Sequence, residues 1–147
     1  SRYVGKMFND DWMRERGFLD EEKTNGLDLI KDHAGKHLVT VTPEDPTSQA
    51  ILLMNQYSIS QIPVVGTDGF VGSLTDNQLF SKLVENPGLK ELPVKHIMEA
   101  SFPLVDGETS ISEISKAFQN GAKAVLVKYA NDQHHIITQQ DMIRAIA

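Results

Sequence analysis

Two short stretches decide how this chain folds: "HIITQQDM" at 135–142 and "GSLTDNQL" at 72–79. Each runs from strand-like apolar residues through a threonine into a helix-like segment. Each also carries a hydrogen-bonding side chain three positions beyond the threonine, Asp141 after Thr138 and Gln78 after Thr75. A threonine at such a joint accepts a bond from a first-turn amide, and the residue three positions on can bond back to it. Taken singly, each joint reads as a helix cap.

The surroundings of the two joints also match. Before the first come a strand, "HLVTV", and a helix, "PEDPTSQAILLMNQYS". In that helix Asp45 is placed to cap, Pro46 fits the first position, and Ala50, Ile51, Met54 and Tyr57 recur near helical spacing. The strand "IPVV", the turn "GTDG" and the strand "FVGSL" then predict a hairpin. Thr75 opens the helix "DNQLFSKLVE", which should end before Pro87. The second block gives "SFPLV" as a strand and "DGETSISEISKAFQN" as a helix with Ser110 and Glu113 spaced as a capping box. "AVLVKY" and "HHII" form a strand pair around the turn "ANDQ", and Thr138 opens "QQDMIRAI".

An internal duplication explains this order. The expected fold is α/β, with two pseudo-symmetric strand–helix–strand–strand–helix repeats over 38–90 and 91–147. Residues 1–37 read as an N-terminal helical linker. "YVGKMFNDDWMRERGFL" should stop near Gly17, and after polar "DEEKTNG" a shorter helix, "LDLIKDHAGK", should end near Gly35. Its Trp12 and Phe18 require a partner surface, on this body or on another domain.

Composition narrows the function. At 147 residues, 40% hydrophobic and 23% charged, the chain is of one-domain size. The net charge of −6 opposes a nucleic-acid footprint. No apolar run is long enough to cross a bilayer, and with no cysteine and no signal-like opening the expected location is cytoplasmic. His33, His37, His96, His134 and His135 make no dense metal spacing, and adjacent His134 and His135 should face opposite sides of a strand. Asp68 and Asp106 sit beside glycines and read as turn residues. Met54 and Met142 read as core. Ser58, Ser60 and Ser73 show no histidine–carboxylate relay, so no enzyme and no metal site is expected in this chain.

The duplicated joint still permits binding. Helix N-termini offer amides and partial positive charge to a phosphate, and a carboxylate can accept hydroxyl bonds from a ribose. The cleft holding Thr138 and Asp141 is the stronger candidate; Thr75 and Gln78, lacking a charge, make the weaker one.

"QIPVV", "FVGSLTDNQL" and "HHIITQQDM" together resemble a tandem pair of CBS motifs, the Bateman module, over roughly 38–147. The leader "YVGKMFNDDWMRERGFLDEE" is similar to the segment joining the catalytic core to the regulatory module in cystathionine β-synthase-like enzymes. The resemblance implies an adenosyl effector, S-adenosylmethionine, AMP or ATP, in a cleft between the repeats. Thr138 and Asp141 would meet the ribose, with Gln140 between them. Ile59, Ser60 and Gln61 would supply the other wall, and Thr40 a backbone approach to adenine. Relatives that respond to S-adenosylmethionine tend to carry an aromatic residue and an aspartate where this chain has Ile59 and Ser60. Without them, stacking on adenine and a partner for the cationic methionyl end are lost. The resemblance further implies a homodimer and a separate catalytic core carrying pyridoxal phosphate. The alternative is a structural dimerisation module with vestigial clefts.

Overall fold

The computed structural model describes residues 25–26 and 38–146. The two expected leader helices lie outside these residues. The described chain packs as two units, 39–102, and Asn25, Gly26 and Leu38 with 103–146.

In the first unit, α1 (Thr47–Tyr57) precedes an antiparallel hairpin, β1 (Gln61–Gly66) and β2 (Gly69–Thr75), followed by α2 (Asp76–Glu85). The expected strand "HLVTV" contracts to one parallel bridge, Val41 to Val64. Pro43, which has no N–H, follows two residues later and the chain turns at once. Asp45 serves that turn by accepting from Thr42 N–H at 2.9 Å. It therefore does not cap α1: Pro46 is the N-cap, without a side-chain bond, and Thr47 is the first helical residue. Thr47 N–H and hydroxyl both donate to Leu92 C=O, at 2.9 and 2.8 Å.

Ala50 and Met54 of α1 pack into a core with Ile62, Val64, Leu74 and Leu79. Tyr57, at the helix end, is exposed, because the chain leaves the helix at Ser58 with φ of 54°. Val94 and Ile97 join the same core. The free edge of β2 bridges Glu99, with reciprocal bonds between Ser73 and Glu99 at 2.9 Å. Residues 91–102 thus pack with the first unit. Gly72 permits this close pairing: a Cβ there would lie 2.5 Å from Met98 Sδ and 3.0 Å from Glu99 O.

The second unit repeats the order with a fuller sheet. β3 (Leu104–Asp106) runs parallel to β4 (Ala124–Tyr129), which pairs antiparallel with β5 (Gln133–Thr138). α3 (Ile111–Gln119) links β3 to β4, and α4 (Gln139–Ile146) follows β5. Asp106 turns the chain as expected, its Oδ1 accepting from Glu108 N–H and Thr109 Oγ1. Ser110 then caps α3 by accepting from Glu113 N–H at 3.2 Å. Val125, Val127, Ile114, Ile137 and Met142 form the core. Asn25 and Gly26 join this unit, with Asn25 bridging Ser110 and Gly26 N–H donating to Thr109 C=O at 2.9 Å.

Candidate functional site: two threonine joints

The joint of the second unit forms where β5 hands over to α4. Ile137 faces the core, so the alternation of the strand turns Thr138 away from it, half-buried. Asp141 Oδ2 accepts from Thr138 N–H at 2.9 Å and from the Thr138 hydroxyl at 3.1 Å. In return, Asp141 N–H donates to Thr138 Oγ1 at 3.4 Å. This is a reciprocal cap. The second carboxylate oxygen, Oδ1, accepts from Arg144 Nη1 at 3.1 Å. The Asp141 side chain is only 10% exposed, whereas that of Arg144 is 67% exposed. Both oxygens of the candidate ribose acceptor are therefore engaged within its own joint and helix. Gln140 is exposed beside them.

The first joint is assembled differently. Thr75 Oγ1 accepts from Gln78 N–H at 3.3 Å, which caps α2. Gln78 does not complete a reciprocal cap: its Oε1 is buried without a hydrogen-bond partner among the described residues. An amide oxygen in that position carries a desolvation penalty of about 1–3 kcal/mol. The strand register sets Gln61 opposite Thr75, and Asp76 N–H donates to Ser60 C=O at 3.0 Å. The expected wall of Ile59, Ser60 and Gln61 thus lies beside the first joint. Ile59 and Ser60 also line an open cleft of about 460 Å³ with Met54, Asp76, Leu79 and Leu83. Thr40 is exposed, next to the Val41 bridge.

By the same register Ala124 stands opposite Thr138. The sequence reading passed over Ala124 and Arg144. The repeat would have supplied the first, by alignment with Gln61, and Asp141–Arg144 is an opposite-charge pair at helical spacing i, i+3. A second open cleft, of about 560 Å³, is lined by Leu104, Val105, Asp106, Thr109, Glu113 and Lys128 and includes none of the candidate residues.

His135 is buried with Nε2 2.7 Å from the Tyr129 hydroxyl, while His134 is half-buried on the other face of the strand. Among the described residues no three His, Cys, Asp or Glu side chains are grouped to hold a metal ion. Nor is any described helix long and apolar enough to cross a membrane.

A family model for the CBS domain matches residues 30–85 and again 94–147. The chain belongs to the CBS-domain family. Among curated CBS-domain relatives, cystathionine beta-synthase of Dictyostelium discoideum is 29% identical over 159 residues, covering 96% of this chain. The chain spans only 31% of that relative's length. Among solved structures, a putative signal-transduction protein with CBS domains from Burkholderia ambifaria superposes with a TM-score of 0.73 at 24% identity. That match covers 84% of this chain and 93% of the other. CBSX2, solved in complex with AMP, gives a TM-score of 0.59 at 20% identity over 76% of this chain and 88% of its own. At these identities the structural likenesses establish the CBS fold and no more.

Proposed function

We propose that this CBS pair is a regulatory module that binds an adenosyl ligand for a cystathionine β-synthase-like enzyme. The observation that carries the reading is the Thr138–Asp141 joint, a shielded carboxylate fixed at the N-terminus of α4. The likeness to CBSX2, whose structure contains AMP, supports an adenosyl ligand. The match to the Dictyostelium enzyme along 96% of this chain supports the parent enzyme. Ribose hydroxyls donate to Asp141, and Gln140 adds a neighbouring polar contact. Ile59, Ser60, Gln61 and Thr40, all in the first unit, serve a second and weaker position around Thr75 and Gln78. Pyridoxal phosphate and the lyase chemistry belong to a separate catalytic region, and this module works in the cytoplasm.

Regulation requires that the ligand bind two states of the parent enzyme unequally. The ligand series AMP, ATP and S-adenosylmethionine separates the effectors. At the position around Thr75, Ile59 and Ser60 offer neither a ring nor a carboxylate, so there AMP or ATP should bind more tightly than S-adenosylmethionine. Titration calorimetry of the three ligands on the folded chain, repeated on Asp141→Ala, tests the reading. Binding that Asp141→Ala abolishes supports it; no binding of any ligand refutes it.

A structural dimerisation module is the second reading. It is favoured by the prior engagement of both Asp141 oxygens and by Phe80 and Val84 on α2, which are 71% and 63% exposed. It predicts concentration-dependent sedimentation without adenosyl binding.

A further inference from the structure

Arg144 takes no part in the core or in the cap. Its side chain is 67% exposed, yet its Nη1 lies 3.1 Å from the one Asp141 oxygen that Thr138 does not hold. Oδ2 already accepts two bonds from Thr138, which match its two lone pairs. A sugar hydroxyl arriving at this carboxylate must therefore share or take Oδ1. The group it meets there is a guanidinium on a solvent-exposed arm.

We propose that Arg144 is a built-in competitor for the sugar at Asp141 and thereby selects phosphorylated adenosines. The inference rests on the adenosyl-site reading above. A neutral adenosine displaces Arg144 and leaves its charge without a partner. A sulfonium ligand adds a second cation beside it. A nucleotide brings its own phosphate on the same sugar, and the released guanidinium can pair with that phosphate through a planar fork of donors. The ion pair is solvent-exposed on the arginine side, so the competition is modest and screened by salt.

The test is calorimetric titration of the folded chain and its Arg144→Gln and Arg144→Lys variants with adenosine and with AMP, at low and high salt. In the unaltered chain AMP should bind about tenfold more tightly than adenosine, the effect of one charged pair formed with the phosphate. Arg144→Gln should raise adenosine affinity about threefold and lower AMP affinity by a similar factor, so the preference nearly vanishes. Added salt should strengthen adenosine binding to the unaltered chain and leave Arg144→Gln unchanged. Arg144→Lys, which keeps the charge and loses the fork, should fall between. If both ligands bind, Asp141→Asn weakens both, and the AMP-to-adenosine ratio is the same with and without Arg144, the competitor role is wrong while the adenosyl site stands. If neither ligand binds any form, the site and this role fall together.

Discussion

Thr138 donates both its backbone N–H and its hydroxyl to a single oxygen of Asp141, Oδ2, at 2.9 and 3.1 Å. The pair locks the end of β5 to the start of α4, and the joint is structural before any ligand arrives. Its counterpart Thr75–Gln78 makes the cap bond alone, leaving Gln78 Oε1 buried and unpartnered among the described residues. Two copies of one motif have reached different hydrogen-bonding states because one carries a carboxylate and the other an amide.

The cap contributes measurably to stability. Thr138→Ala removes the hydroxyl donor to Oδ2 and the acceptor for Asp141 N–H, and keeps the backbone donor. The backbone N–H to Oδ2 bond survives only where the main chain keeps its place. A loss of about 1 kcal/mol is expected in urea denaturation. Thr75→Ala, removing one cap bond, should lose no more than this.

Gln78→Leu should behave in the opposite sense. Replacing the buried, unpartnered amide oxygen by an apolar group of similar size removes a desolvation penalty. The chain should become more stable by up to about 1 kcal/mol, read as a higher urea midpoint with an unchanged slope.

Legibility followed range. The capping spacings at Thr75, Ser110 and Thr138, the hairpins and the core methionines were readable because each is a local pattern of three or four residues or a regular alternation. The first strand is shorter than its strand-like residues "HLVTV" suggest, because Pro43 and the Thr42–Asp45 turn end the pairing after Val41. An aspartate before a proline-led helix has the composition of a cap, but the amide of Thr42 holds the Asp45 carboxylate instead. Val94 and Ile97 join the first core through contacts distant in sequence, which local spacing does not show. At the candidate site the residue types were visible, but the engagement of Asp141 by Arg144 depends on rotamers that spacing alone does not specify.

Gly72 is required by packing. Gly72→Val would drive a branched side chain against Met98 and the Glu99 carbonyl. A destabilisation of about 1–3 kcal/mol is expected in thermal or urea unfolding. Adding Met98→Ala, which removes the nearest sulfur and carbon, should restore part of the loss; the Glu99 oxygen remains.

Ile137 and Ile143 separate core from surface on neighbouring elements. Ile137 is fully buried and Ile143 is 57% exposed. Ile137→Ala should lose about 2–5 kcal/mol, and Ile143→Ala should stay within about 0.5 kcal/mol. Equal effects would show that the packing of α4 against β5 differs from that described.

The most direct test is a crystal structure of the chain with AMP. The account predicts a ribose hydroxyl within about 2.6–3.0 Å of Asp141 Oδ1, with Arg144 turned off that oxygen and Thr138 still bonded to Oδ2. AMP bound elsewhere, with Arg144 still on Oδ1 and no sugar contact to Asp141, would contradict it.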